Sequence, residues 1–199
     1  MRTNVTTLPP IIRPEILTAE PAAGDHILIY LPSYAAPEID AAIGASPAAG
    51  ARFVVYPRRD DYLPGTPDLI FKNFDPAGFV EDLRTARGVV TGGGFTLISE
   101  CLHLGKPIMV VPETNQYEQL CNAEAIKQWK LGATARRLES AKLARWLDNL
   151  KPARRRFPDV AAAFANWLAA GQPYPLPRLA DELWAEADAL TNEGGEGVK

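Results

Sequence analysis

Residues 88–100 read GVVTGGGFTLISE. An apolar run from Gly88 to Thr91 passes through Gly92-Gly93-Gly94 directly into an apolar-periodic stretch beginning at Phe95. Strand, glycine turn and helix in that order place a loop at the carboxyl end of a parallel strand, where open α/β sheets bind ligands. Glycines let a phosphate or sugar approach the backbone, and the free N–H groups and positive dipole end of the following helix favour a diphosphate. The stretch is not a Walker loop, because the GK[ST] ending is missing, and it departs from GxGxxG, because Leu97 stands where the third glycine would be. By itself it is equally compatible with a plain tight strand-to-helix turn.

The same alternation continues on both sides. The run HILIYL from His26 is a short apolar strand ended by Pro32, and a helix begins near Pro37 with Glu38 beside it. Arg52 to Tyr56 is a second strand and LIFKNF, ending at Phe74, a third; Asp75-Pro76 then pairs an N-cap with proline at the first helical position and leads through Phe79, Val80 and Leu83. Downstream, PIMVVP is a strand, and Tyr117, Leu120, Cys121, Ala125 and Trp129 predict the inward face of a helix ending near Leu131-Gly132. ATARRL, from Ala133 to Leu138, is a candidate edge strand. Nearly continuous apolar strands joined by helices require a sheet covered on both faces. The predicted fold class is therefore α/β, a Rossmann-like parallel sheet over residues 25–151. C-terminal helices over 152–191 pack on it through Val160, Phe164, Trp167 and Leu168 and through Leu179, Leu183 and Leu190. Prolines 9, 10, 14 and 21 mark 1–24 as an extended linker, and 192–199 reads as a disordered tail.

A chain of 199 residues, 47% hydrophobic and 23% charged, has the composition of one ordinary globular domain, which excludes collagen, coiled coil and intrinsic disorder. With 21 basic against 24 acidic residues there is no electrostatic ground for nucleic-acid binding. Cys101 and Cys121 lack CxxC or Cys/His spacing, so neither a disulfide framework nor a zinc site is indicated, and a reducing cytoplasm fits. No stretch approaches the ~18 apolar residues of a transmembrane helix. The cluster Lys151, Arg154, Arg155 and Arg156 beside Phe157 reads first as a solvated linker between helices and leaves room only for peripheral membrane contact.

On the helix after the glycine turn, Leu97, Ile98, Cys101 and Leu102 form the buried stripe, and Thr96 and Glu100 share the opposite face. Glu100 is thereby expected beside the ligand, its two acceptor oxygens matched to the vicinal diol of a ribose; the alternative is a surface glutamate favoured only by the helix dipole. His103 reads as structural. In PETNQYEQLCNA, from Pro112 to Ala123, the side chains of Glu118, Gln119 and Asn122 suit sugar hydroxyls, whereas capping alone would need only one of them.

Together the residues GVVTGGGFTLISECLHLGKPIMVVPETNQYEQLCNAEAIKQWKLG resemble the donor-binding half of GT-B glycosyltransferases, most nearly the family 28-like group of the peptidoglycan-precursor N-acetylglucosaminyltransferase. The resemblance runs from about Gly24 to Leu138. It implies that Gly93, Gly94, Phe95 and Thr96 meet the donor's diphosphate, Glu100 the ribose, Glu118 and Gln119 the sugar, and Phe74 the base, with Gly92 and Asn122 also among the donor-binding residues. Ser33, in a first loop that the family often makes glycine-rich, is a further donor contact. It also implies attack of an acceptor hydroxyl on the anomeric carbon of a UDP-sugar, with no metal or other cofactor. The sequence offers no DxD pair, since Asp60 and Asp61 are adjacent and would point apart in a strand. IIRPEIL, from Ile11 to Leu17, resembles the family's interdomain linker. The expectation is a half-enzyme, inactive alone, with the acceptor and the general base supplied by a missing domain or subunit; no catalytic residue is assigned. A nucleotide-sugar epimerase of the same architecture, a nonenzymatic nucleotide-sugar-binding module and an unrelated Rossmann-like domain are the alternatives.

Overall fold

A computed structural model of the chain describes residues 5–22, 24–44, 51–58 and 63–193. Asp60, Asp61 and the final stretch 194–199 of the expected tail lie outside the described residues. In chain order the elements are α1 (Pro14–Leu17), β1 (His26–Tyr30), α2 (Ala36–Gly44), β2 (Arg52–Tyr56), β3 (Leu69–Phe71), α3 (Pro76–Thr85) and β4 (Gly88–Thr91). They continue with α4 (Phe95–His103), β5 (Ile108–Val110), α5 (Tyr117–Gln128), β6 (Ala133–Thr134), α6 (Ser140–Leu147), α7 (Val160–Ala169) and α8 (Leu176–Glu193).

The strands form one parallel sheet ordered β3-β2-β1-β4-β5-β6. Successive side chains of a strand point to opposite faces, so each strand feeds two cores. Leu28, Val54, Val89 and Ile108 face α1, α3, α4 and α5, where they meet Ile16, Leu83, Ile98, Cys101 and Ile126. Ile27, Ile29, Val55, Val90 and Met109 face α2 and α6, where they meet Ile39, Leu143, Trp146 and Leu147. A third cluster of Val160, Trp167, Leu179 and Leu183 joins α7 to α8, with Leu8 packed against it.

The chain winds outward from β1 to β3, then crosses back to lay β4 on the other side of β1, with Tyr30 paired to Thr91 in register. Strand order therefore reverses between β1 and β4, and the crevice above their carboxyl ends is the position where such sheets bind ligands.

Three expectations change. The lead-in is not a free linker: Ile12 and Ile16 are buried in the first core, and the Lys106 ammonium donates to the carbonyls of Ala22 at 2.9 Å and Ala86 at 2.8 Å. Prolines prescribe the backbone of this segment but not its burial, and the isoleucines, four apart, carry it onto α3 and α4. In α5, Tyr117 and Trp129 are 81% and 68% exposed, and Ala123 and Ile126 face the sheet instead. The large side chains outweigh a small alanine in any periodicity reading, yet the close α5–sheet contact favours the small one. The candidate edge strand contracts to Ala133–Thr134. Among the described residues no helix is long and apolar enough to cross a membrane.

If the lead-in is core, Ile16→Ala should lower unfolding stability by about 3 kcal/mol, within the range for truncating buried aliphatic residues. Urea unfolding measures it; a change below about 0.5 kcal/mol, the scale of a surface substitution, would return the segment to linker status.

Candidate functional site

At the end of β4 the backbone must turn sharply under α5. Gly93 adopts φ +96, and a Cβ there would come within 3.0 Å of Val110 Cγ1 and 3.3 Å of the Gln119 carbonyl oxygen, so only glycine fits. Its N–H donates to Thr91 Oγ1 at 3.4 Å and its carbonyl accepts from Asn122 Nδ2 at 2.9 Å. Gly94, the N-cap of α4, has ordinary angles and nothing within 4 Å of where a Cβ would stand. Open space thus lies directly in front of the helix start. No side chain caps α4, whose first intrahelical bond runs from the Ile98 N–H to the Gly94 carbonyl at 3.2 Å. The N–H groups of Phe95, Thr96 and Leu97 are consequently left without helical partners, an arrangement suited to an anion.

Those groups open into a cavity of about 340 Å³ that straddles the crevice between β1 and β4. Gly94, Phe95, Thr96 and Leu97 form one wall, Tyr30, Phe74 and Phe79 another, with Glu118 and Arg13 contributing charge. Phe74 and Phe95 are 56% and 52% exposed, a large apolar area held toward solvent. Phe74 leans on Phe79 at a centroid distance of 5.3 Å and on Tyr30 and Tyr56 at 6.1 Å each.

Glu100 is where the structure departs most from expectation. It is 0% exposed, and Arg13 forks its carboxylate, Nε to Oε1 at 2.5 Å and Nη2 to Oε2 at 2.8 Å. The lead-in covers the α4 face that the helical spacing left for solvent, so the carboxylate does not line the cavity; the guanidinium does. Arg13 also sits 6.0 Å from the Phe79 ring centroid, and its Nη1 makes no hydrogen bond among the described residues. Burial pushes the Glu100 carboxyl above its ordinary pKa, and the Arg13 hydrogen bonds and charge pull the other way. Sequence reasoning passed over Arg13 because it lies in a proline-rich lead-in. Its signal was the one cation in IIRPEIL, flanked by isoleucines and immediately before the proline that opens α1.

Of the other expected contacts, Gly94, Phe95, Thr96, Glu118 and Phe74 come together at the cavity. Gly92 does not line it, and a Cβ there would stand 3.5 Å from Gln119 Oε1, an ordinary van der Waals contact. Gln119 turns inward, its Oε1 accepting from the Glu113 N–H at 2.9 Å, and with Asn122 it braces the glycine turn. Ser33 stands outside the cavity, and its carbonyl accepts from Arg58 Nη2 at 3.0 Å. His103 is buried, its Nδ1 accepting from the Phe157 N–H at 3.1 Å.

Among solved structures, the chain is similar to UGT2 of Phytolacca americana, determined with UDP-2fluoro-glucose and pterostilbene, at TM-score 0.58 and 17% identity over 94% of this chain and 48% of that one. It is similar to the glycotransferase of kitacinnamycin at TM-score 0.56 and 19% identity over 94% and 49%, and to CalG4, the calicheamicin glycosyltransferase, at 0.54 and 19% over 98% and 48%. The likeness is one of fold: the chain spans about half the length of these relatives, and its architecture is the Rossmann-like half of a GT-B glycosyltransferase. Residues 1–151 match the family described as Glycosyl transferase family 1, and the chain belongs to that family. The peptidoglycan-precursor group is a finer assignment than this match makes. No curated protein matches the chain.

The Arg13–Glu100 pair makes a pH-dependent demand. An acid whose folded-state pKa is raised binds its proton more tightly folded than unfolded, so its contribution is most favourable at low pH and is lost as pH rises through the ordinary value of 4.5 and above. Removing the cation steepens this. Arg13→Ala should cost about 3 kcal/mol at pH 8, where Glu100 is buried as an unpaired anion, and distinctly less at pH 5, where it takes up a proton. Urea unfolding at both values measures the difference; an equal deficit would deny the pair its electrostatic role.

Proposed function

We propose that this chain binds the nucleotide-sugar donor of a glycosyltransferase, and that another domain or subunit holds the acceptor. The observation that carries the reading is the uncapped start of α4, opening at the β1/β4 crevice into an aromatic-walled cavity. A diphosphate there would accept hydrogen bonds from the N–H groups of Phe95, Thr96 and Leu97, with Gly94 giving clearance and Arg13 adding positive charge. The base would stack against Phe74, and Glu118 would face the sugar. The ribose contact expected of Glu100 would require Arg13 to release at least one of its two hydrogen bonds; as the side chains stand, Glu100 acts on the donor through the guanidinium it holds.

The donor we assign is a UDP-sugar carrying a hexosyl or N-acetylhexosaminyl group, in the cytoplasm, on the resemblance of residues 24–138 to the peptidoglycan-precursor group. The acceptor hydroxyl attacks the anomeric carbon, the bond from that carbon to the diphosphate oxygen breaks, and the helix start and Arg13 stabilise the charge that develops on the leaving group, with no call for a metal. The general base comes from the acceptor-binding half, so the isolated chain binds donor without turning it over.

Calorimetric titration with UDP and a panel of UDP-sugars tests the reading, and one substitution separates site from fold. Gly94→Asp should raise stability by a few tenths of a kcal/mol, since aspartate caps a helix slightly better than glycine. It should weaken UDP by roughly a hundredfold, since its carboxylate would meet the diphosphate as a like charge. Unchanged UDP affinity would move the diphosphate away from α4, and a wild type without nucleotide affinity would sink the proposal. Sugar interconversion rather than transfer, once the other half is supplied, would make the protein an epimerase.

A further inference from the structure

Beneath the aromatic wall of the cavity lies an ionic cluster centred on Asp82 of α3, a residue only 9% exposed. Tyr56, at the end of β2, donates its hydroxyl to Oδ2 at 2.7 Å, and Lys72, just past β3, donates its ammonium to Oδ1 at 2.8 Å and Oδ2 at 2.7 Å. His26 Nε2 lies 3.0 Å from the Asp82 carbonyl oxygen. A buried carboxylate of this kind adds little stability over a well-packed apolar trio, so its value is sought in the geometry it fixes.

What it fixes is the loop from Lys72 to Asp75. The Lys72 end is tied twice, by its N–H to the Val55 carbonyl at 2.9 Å and by its ammonium to Asp82. The Asp75 end is tied by its carboxylate, which accepts from the Gly78 N–H at 2.7 Å. Between these ties stands Phe74, more than half exposed and held by ring contacts alone among the described residues. One of the rings beneath it, Tyr56, is itself held by Asp82. A single carboxylate thus secures both the loop that carries Phe74 and part of the floor on which its ring rests.

We propose that Lys72, Asp82 and Tyr56 are positioning residues for the donor's base: without touching the donor, the cluster sets the Phe74 ring in the cavity wall and so presents a fixed stacking face. This rests on the reading that a nucleotide occupies the cavity. A ring that needs no ordering at the moment of binding spares the complex the entropy of immobilising it.

The test is a calorimetric cycle on the full chain with two probes, UDP and inorganic diphosphate, in wild type, Lys72→Met, Phe74→Ala and the double variant. Losing an aromatic stacking partner weakens single-base recognition by roughly fivefold to a hundredfold, so Phe74→Ala should fall in that range for UDP and Lys72→Met near its lower end. The double variant should be no weaker than Phe74→Ala, Lys72→Arg should behave as wild type, and diphosphate affinity should be the same in all. Tyr56→Phe, which keeps the ring and removes one bond to Asp82, should lower UDP affinity about twofold in the same selective way, as befits loss of one hydrogen bond of several, and it stands in if Lys72→Met does not fold. The proposal is overturned if neither variant changes UDP affinity, if Lys72→Met adds fully to Phe74→Ala, or if diphosphate weakens in parallel, the mark of general loosening. A wild type that binds UDP no better than diphosphate, with Phe74→Ala silent, would instead overturn the nucleotide reading itself.

Discussion

The bond between Arg13 and Glu100 joins two parts of the chain that are 87 residues apart in sequence. It sets the lead-in on α4, closes the face of that helix behind the cavity, and leaves a guanidinium where a carboxylate was expected. Without the pair, a fully buried anion would stand unpaired in the binding helix at neutral pH, so the lead-in, the helix and the cavity wall are coupled through this one contact. Lys106, just past the end of α4, repeats the theme, tying the lead-in and the end of α3 with one ammonium.

Much of the fold was legible because it is locally encoded. Ile27 and Ile29 against Leu28 already divide β1 between two faces, and Asp75-Pro76 announces α3, where the Asp75 carboxylate does accept the Gly78 N–H. The glycine turn was legible as a turn because Gly93 has no substitute at its angle and spacing. What was not legible is set by partners distant in sequence. Helical spacing correctly separates Glu100 from Cys101 and Leu102, but it says nothing of a lead-in that returns to cover the second face. In α5, spacing favoured the largest apolar residues, whereas the sheet accepts Ala123 and Ile126 and leaves Tyr117 and Trp129 outside.

The same limit explains the amides. Gln119 and Asn122 were recognisable as polar groups at a helix entry, and nothing local distinguishes an amide that meets a ligand from one that supports the loop that does. Here both turn toward the glycine turn and the Glu113 N–H, so two polar side chains support the shape of a site whose exposed lining is largely backbone and aromatic. Such a lining places the burden of recognition on geometry more than on the number of polar side chains.

The sheet also tapers. Its strands run to five residues in β1 and β2 and four in β4, but only three in β3 and two in β6, the strands at its margins. An edge that short offers few unpaired peptide groups to a neighbouring molecule, and templated strand addition between copies finds almost nothing to build on. A protein that keeps several large aromatic side chains in water is in this way spared the commonest route by which exposed β-structure drives a solution to fibrils.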